Sequence, residues 1–395
     1  MAKKKKKFKK KHPILSFLIT VVIIVLIAVC LLHGSGIIDI PFLRDMTSEQ
    51  KPSSDRVESQ AGAFDQQVVS EIVGSDLSIH FLMLGNEYTG DCTLIKVGDT
   101  EVLIDAGSIQ ASAGTIVPYI EEFCTDGVLE YVIVTHADQD HISGFVGTTI
   151  APGVFESFVC ETIIDFPLTD KDTQIYERYQ EERAKEVQAG AKHYTALECW
   201  NNEKGARRSY ALSDTVSMNF LYQRFYEERT DDENDYSVCM LLTETYEGGE
   251  NNYLFTGDLE KDGEASLVQE NDLPKCKLFK AGHHGSKTSN TTALLQVIQP
   301  EIVCVCCCCG SDEYKAKKEN QFPTQTFIDS VAPFTYQVYV TTMVADNEDG
   351  FAPMNGNIVI TSNGGTLKVR CSNNATLFKD TEWFKANRET PKAWS

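Results

Sequence analysis

Within six residues, His136-Ala137-Asp138-Gln139-Asp140-His141 places four groups able to ligate a metal. Imidazole and carboxylate suit zinc, manganese or iron. Four potential ligands in so short a span crowd one small ion, so two divalent ions share them more naturally. Alternation along an extended segment would put His136, Asp138 and Asp140 on one side. A second cluster lies downstream, in Lys280-Ala281-Gly282-His283-His284-Gly285-Ser286-Lys287-Thr288-Ser289. Its glycines let the backbone approach closely, and its histidines offer one ligand and one substrate-facing donor or acid. Between the two, Leu254-Phe255-Thr256-Gly257-Asp258 reads as a strand that delivers an aspartate at a turn. Alone it would be an ordinary turn residue; beside the histidines it suits a bridge between two cations.

These groups need elements to carry them. Three short strands are expected over 78–84, 92–97 and 101–105, then an amphipathic helix over 113–124 and a strand over 129–135 that ends on the His136 motif. A charged helix follows over 175–191. Strands are expected over 216–222, 237–245, 252–256 and 276–281, the last two ending on Asp258 and the histidine pair. Helices near 292–298 and 324–331 and strands near 302–306, 337–341, 357–361 and 366–370 complete the body. Mixed strands and helices over about 295 residues give an α/β class with sheets packed inside helices. Both histidine motifs sit where a strand gives way to a loop, the place where buried strands present functional groups.

The 395 residues are ample for one or two cores, and 42% hydrophobic with 24% charged residues is an ordinary globular composition. The chain carries 36 basic and 57 acidic residues. Eight of the lysines fall in the first eleven positions, leaving 28 basic against 57 acidic, a formal −29. An acidic body argues against broad attraction to nucleic acid, though not against a local phosphate site. Residues 14–32 are uncharged, and as a helix they would span ~28 Å, close to the hydrocarbon thickness of a bilayer. With the lysines on the cytoplasmic side, the body is expected outside the cell on an uncleaved single-pass anchor. The organisation read from these features is a polybasic tip at 1–13, a transmembrane helix at 14–32, a linker at 33–76, a folded α/β domain at 77–371 and a polar tail at 372–395. Of the thirteen cysteines, Cys304 and Cys306 to Cys309 form a run, which reads as a buried strand using cysteine as a small hydrophobe.

The series Leu103-Ile104-Asp105-Ala106-Gly107, the His136 motif, Thr256-Gly257-Asp258 and Gly282-His283-His284-Gly285-Ser286 resembles the metallo-β-lactamase superfamily. Within it the chain looks most like the hydrolase domain of ComEC-type DNA-uptake proteins and their stand-alone relatives, over about residues 78–371. The resemblance implies a four-layered αββα metallo-β-lactamase sandwich, here preceded by the transmembrane helix, with the site at one edge. It implies that Asp105 fixes the His136 loop. His136 and Asp138 would hold one ion, Asp140 and His141 the other, with Asp258 bridging and His283 completing the second site. His284 and Ser286 would face substrate, with Ser237 and Asn234 also on the substrate side. Asp138 stands where the superfamily usually has histidine, as in the competence branch. No histidine except His193 lies between the motif and Asp258, and the strand that begins Asn234-Asp235-Tyr236-Ser237 takes the corresponding place. The family's early Gly-Gln-Gly-Asp turn is expanded to Gly85-Asn86-Glu87-Tyr88-Thr89-Gly90-Asp91, and Phe322-Pro323 lacks the flanking histidine.

The expected activity is metal-assisted hydrolysis with two zinc or manganese ions. Asp140 would act on the attacking water and His284 would protonate the leaving group. The substrate expected from the resemblance is a phosphodiester, such as nucleic acid or a nucleotide outside the membrane. Hydrolysis of another ester or amide, or a surface binding module without turnover, are the alternatives.

Overall fold

The computed structural model of the chain describes residues 63–313 and 317–395. The lysine tip, the span at 14–32 and most of the expected linker lie outside the described residues. Among the described residues no helix is long and apolar enough to cross a membrane.

Two mixed sheets make up the body. The first takes β1 (Leu77–Phe81), β2 (Thr93–Val97), β3 (Thr100–Ile104), β4 (Val128–Ile133), β5 (Val159–Asp165), β6 (Lys192–Thr195), β15 (Ile358–Asn363) and β16 (Thr366–Cys371), in the order β16-β15-β1-β2-β3-β4-β5-β6. The second takes β7 (Ser209–Ala211), β8 (Val216–Leu221), β9 (Cys239–Tyr246), β10 (Gly249–Phe255), β11 (Leu278–Lys280), β12 (Ile302–Cys309), β13 (Val338–Val344) and β14 (Phe351–Pro353), in the order β14-β13-β12-β11-β10-β9-β8-β7. Each sheet holds a parallel run: β3 to β6 reaches one edge of the first sheet and has antiparallel strands on its other side, and β10 to β13 has antiparallel strands on both sides. Short loops off the ends of the parallel strands carry the chemistry described below.

The layering follows from side-chain alternation along extended strands. On β12, Cys304 and Cys306 join the core shared with the first sheet, while Val303, Val305, Cys307 and Cys309 join a second core on the other face. Tyr253 and Phe255 of β10 and Leu278 of β11 face the first core; Leu254 and Phe279 face the second. Phe81 and Phe255 stack across the two sheets at 6.5 Å. The helices α2 (Ala113–Phe123), α3 (Gln139–Val146) and α5 (Gln174–Ala189) add Ile116, Phe145 and Tyr179 to the first core. Leu267 of α7 (Lys261–Glu270), Leu294 of α8 (Thr292–Ile298) and Phe327 of α9 (Gln325–Val331) join the second. The result is an α/β sandwich of two sheets. Short helices α4 (Val154–Ser157) and α6 (Ala196–Asn201) follow β4 and β6.

Two features bear on the expected linker and tail, the latter left open between docking on the body and staying loose. Residues placed in the linker include α1 (Gln66–Val73), which buries Val69 and Ile72 and pairs Glu71 with Arg370 of β16 at 2.9 Å. The tail beyond 371 is folded onto the body. It contains α10 (Glu382–Asn387), and its Phe378, Phe384 and Trp394 are buried in the second core.

Candidate metal centre

The His136 motif is not one extended segment. Asp138 keeps an extended conformation (φ −72°, ψ 146°) as the residue preceding α3, and Asp140 and His141 lie in that helix's first turn. The reason is local. Asp140 near a helix N-terminus gains from the macrodipole, and Ile142, Phe145 and Val146 supply a buried face. Side chains on the same face of an extended run would have spread over two residues' spacing; the turn into α3 instead packs the His136 and His141 rings 4.1 Å apart.

The turn brings two further loops to this point. Asp105 follows β3 with φ of 58°, Gly257 precedes Asp258 with φ of 55°, and His283 and His284 have φ of 43° and 53°. Left-handed conformations at three non-glycine residues around one site are costly and persist where packing over-determines them. Gly107 is required by contact: a Cβ there would lie 1.7 Å from the Asp140 carbonyl oxygen.

Asp140, His141, Asp258 and His284 each offer a ligand atom within 4.8 Å of the others. His141 Nε2 is 3.2 Å from Asp258 Oδ2, and His284 Nε2 is 3.0 Å from the same oxygen and 3.3 Å from Asp140 Oδ2. His284, not His283, enters this cluster. The pair is therefore placed opposite to expectation: His284 is fully buried, whereas His283 turns to Glu260, Nδ1 to Oε1 at 3.1 Å, and lines the cavity outside. The sequence offers two adjacent histidines, and only their left-handed backbone decides which turns inward.

The other ring nitrogens are held from behind. His141 Nδ1 donates to Asp105 Oδ2 at 2.7 Å, and His284 Nδ1 donates to the Cys306 carbonyl at 2.8 Å. The β12–β13 ladder shifts register between Val305 and Cys308, at that carbonyl. His136 Nδ1 lies 3.1 Å from Thr135 Oγ1 and 3.4 Å from Ser237 Oγ. Asp105 also accepts from Thr135 N at 2.8 Å and from its hydroxyl at 2.7 Å, so it fixes the whole loop. Pinning Nδ1 as the donor leaves Nε2 with its lone pair for a metal. The Nε2 atoms of all three histidines are buried: that of His136 has no hydrogen-bond partner, and those of His141 and His284 face the Asp258 carboxylate. Imidazole nitrogens and carboxylate oxygens turned to one point are what a divalent cation would satisfy, so the donor set fits such an ion.

Electrostatics give the same reading. Burial opposes charging His141, but the Asp258 and Asp105 carboxylates outweigh it and hold its pKa well above the usual range. Burial likewise opposes charging His284, and Asp258 and Asp91 outweigh it. The carboxylates thus call for positive charge at this point. Burial, helped by His141, pushes His136 down to about 4, which keeps it neutral.

Two buried residues complete the centre. Asp91 ends the expanded early turn, and its carboxylate pairs with Lys280 and lies 3.3 Å from His284 Nδ1. Lys280 also reaches Asp258 Oδ1 at 3.4 Å. Both residues stand in motifs that sequence alone singles out, but their pairing needs the two sheets together. Asp138 departs from its expected role as a ligand beside His136. It pairs with Lys171, and its Oδ2 is 3.7 Å from His136 Nε2. Ser237, expected at the substrate, is fully buried and accepts from Asp258 N at 3.0 Å, so it supports the aspartate instead. His193 lies on β6 and contacts Asp165, Nε2 to Oδ1 at 2.9 Å, and takes no part. Above the centre a cavity of about 580 Å³ is lined by Asp138, Asp140, Lys171, Asn234, His283 and Ser286, with Lys287, Thr288 and Phe322 nearby on its wall.

Three relatives align over about half of this chain. Competence protein ComA of Neisseria gonorrhoeae is 28% identical over 217 residues, covering 54% of this chain and 25% of its own length. Recombination protein 2 of Haemophilus influenzae is 26% identical, covering 55% and 23%, and ComE operon protein 3 of Bacillus subtilis is 25% identical, covering 45% and 20%. The chain resembles the competence proteins. It spans about a quarter of the length of these curated relatives. No family model matches it. Among solved structures, it is similar to the metallo-β-lactamase fold protein YhfI of Bacillus subtilis at 11% identity and a TM-score of 0.38, covering 70% of this chain and 98% of that one. It is also similar to BJP-1, a subclass B3 metallo-β-lactamase of Bradyrhizobium japonicum, at 13% identity and a TM-score of 0.30, covering 50% and 75%.

Proposed function

We propose that this chain is a metal-dependent hydrolase of phosphodiesters, anchored in the membrane through residues 14–32 with its catalytic body outside the cell. The observation that carries the reading is the convergence of the His141 and His284 Nε2 atoms with Asp140 and Asp258, beneath an open cavity. Asp140, His141, Asp258 and His284 would hold zinc or manganese. A divalent ion there lowers the pKa of bound water and polarises a substrate oxygen. His136 and Asp138 lie at the outer end, where the resemblance implies a second ion and where Asp138 is paired with Lys171.

The residues around the cavity divide the remaining work. Asp140, beside the attacking water, orients it or takes its proton. His283 replaces His284 as the group placed to protonate a leaving oxygen, since it lines the cavity. Its partner Glu260 also accepts the Thr288 hydroxyl at 2.6 Å. Burial pushes the Glu260 carboxyl up, but the His283 and Thr288 hydrogen bonds outweigh it and hold it down, so it stays ionised. Lys171, Lys287, Ser286 and Asn234 supply donors to an anionic substrate. The phosphodiester class rests on these donors and on the likeness to competence proteins.

The test uses full-length protein in detergent, loaded with manganese or zinc and assayed on a phosphodiester panel including single-stranded DNA. Asp258→Asn is expected to lose bound metal and to lower turnover about a hundredfold or more. Metal-loaded wild type that binds DNA but turns over no phosphodiester would replace this reading with a binding module.

A further inference from the structure

The outer end of the centre differs from its inner end. His136 is fully buried, and its Nε2 has no hydrogen-bond partner. Its nearest carboxylate, Asp138, is 3.7 Å away, beyond hydrogen-bond reach, and is engaged by Lys171. Among the described residues, neither His136 nor Asp138 joins a group of three or more ligand atoms, whereas the inner end gathers four. Ser237 stands behind His136, on Nδ1, and the only intervening histidine is tied to Asp165.

Lys171 is held there by a built loop. Glu233 accepts from Ala137 N at 3.2 Å, from the Thr169 hydroxyl at 2.7 Å and from Asp170 N at 3.4 Å. Lys171 N in turn donates to Thr169 Oγ1 at 3.0 Å. One carboxylate thus staples the loop that carries Lys171 to the residue between His136 and Asp138. The side chains of Lys171 and Asp138 are about one-third and one-quarter exposed, so the ammonium is half in the cavity wall.

We propose that Lys171 is a protein-borne cation at the His136–Asp138 end that competes with a second metal ion, so that the chain saturates with one ion. This rests on reading the inner cluster as a metal centre. An outer ion has one imidazole, one carboxylate and a share of Asp258 to offer its coordination sphere, and it must first take Asp138 from an ammonium. Two like charges within ~4 Å of one carboxylate repel appreciably even at high effective dielectric. With Lys171 retained, the ammonium faces the cavity and meets a non-bridging oxygen of an anionic substrate where a second ion would have met it.

The experiment is Mn²⁺ titration of full-length, metal-stripped protein in detergent, with equilibrium dialysis for stoichiometry and electron paramagnetic resonance for ion–ion coupling. Wild type is expected to bind one Mn²⁺ with an uncoupled spectrum. Lys171→Met and Lys171→Gln are expected to bind two, with the second ion tightened on the order of tenfold or more and a coupled spectrum. Adding Asp138→Asn to Lys171→Met should return the count to one. Two equally tight ions in wild type, or one ion in wild type and both lysine variants, overturns the competition. No ion in any of them overturns the metal reading itself, so the two failures are told apart.

Discussion

Lys280 shows how a single residue sets the conditions for the others. Its side chain is almost fully buried between Asp91 and Asp258. Burial alone would strip its proton, but the two carboxylates outweigh that and hold its pKa above the usual lysine range. The ammonium therefore neutralises part of a buried acidic group that also includes Asp105 and Asp140. Removing one partner of a buried ion pair costs about 3–5 kcal/mol, because the other charge is left uncompensated. Lys280→Met is thus expected to lower the stability of metal-free protein by about that amount in urea unfolding, and added Mn²⁺ should recover part of it by supplying charge at Asp258. A variant as stable as wild type without metal would show that the carboxylates are not both ionised. The same residues mark the limit of sequence reading at this scale. That Asp140, His141 and Asp258 come together is legible from motif spacing and residue type. The choice between His283 and His284, and the exchange of Asp138 from ligand to ion pair, depend on backbone φ and on a loop 33 positions along the chain.

At the scale of elements, most strands and the longer helices follow from alternation and helical spacing, and the strands that deliver Asp105, His136, Asp258 and His284 end where the sequence places them. The start of α3 inside the His136 motif was not legible, because Asp138-Gln139-Asp140 has no strong propensity and the helix is fixed by what Phe145 and Ile142 pack against. The cysteine-rich β12 was read as a buried strand, and all eight of its residues are buried. Burial pushes the Cys304, Cys306 and Cys307 thiols well above the ordinary range. Thiolate is the reactive form, so these cysteines should resist a water-soluble disulfide reagent in native protein and react on unfolding in denaturant. Fast native labelling at β12, located by peptide mapping, would mean that the strand opens. Helix α7 carries a second testable feature. Glu264 is fully buried and accepts from Asn290 N at 2.6 Å and Thr291 N at 2.7 Å, joining α7 to the start of α8. Burial raises its pKa to about 7 against these hydrogen bonds, from an unfolded value near 4.5. A raised folded pKa means its stabilising contribution is full below about 4.5 and is lost as pH climbs through about 7. The pH-dependent part is on the order of 3 kcal/mol. The stability difference between wild type and Glu264→Gln should therefore drift in the variant's favour between pH 4.5 and 7; a constant difference over that range would place the folded pKa near the unfolded one.

For the whole molecule, the α/β class is legible from the succession of strands and helices and the two-sheet sandwich from the motif resemblance, but the docking of the C-terminal residues is not. Their composition is polar, and four aromatics spaced over seventeen positions show no period. In the structure they close the second core: Phe378 stacks on Trp383 at 5.9 Å, Phe384 meets Trp394 at 5.8 Å, and Trp394 Nε1 donates to the Thr335 carbonyl at 2.9 Å. Arg388 extends this brace to the site, donating to the Pro323 and Gln321 carbonyls at 2.8 and 2.7 Å on either side of Phe322, whose ring lies 5.6 Å from His283. The terminal residues thus hold one wall of the cavity, and global stability and local order there should separate by variant. Trp394→Ala removes a buried ring and is expected to cost about 3–5 kcal/mol in urea unfolding. Arg388→Met removes the guanidinium that lies 4.8 Å over the Trp383 ring and donates to both carbonyls, and is expected to cost about 2 kcal/mol, while amide exchange speeds up selectively over residues 320–324. If Trp394→Ala unfolds at the wild-type urea midpoint, the tail contributes no core; if Arg388→Met leaves exchange at 320–324 unchanged, the cavity wall is held by the body alone.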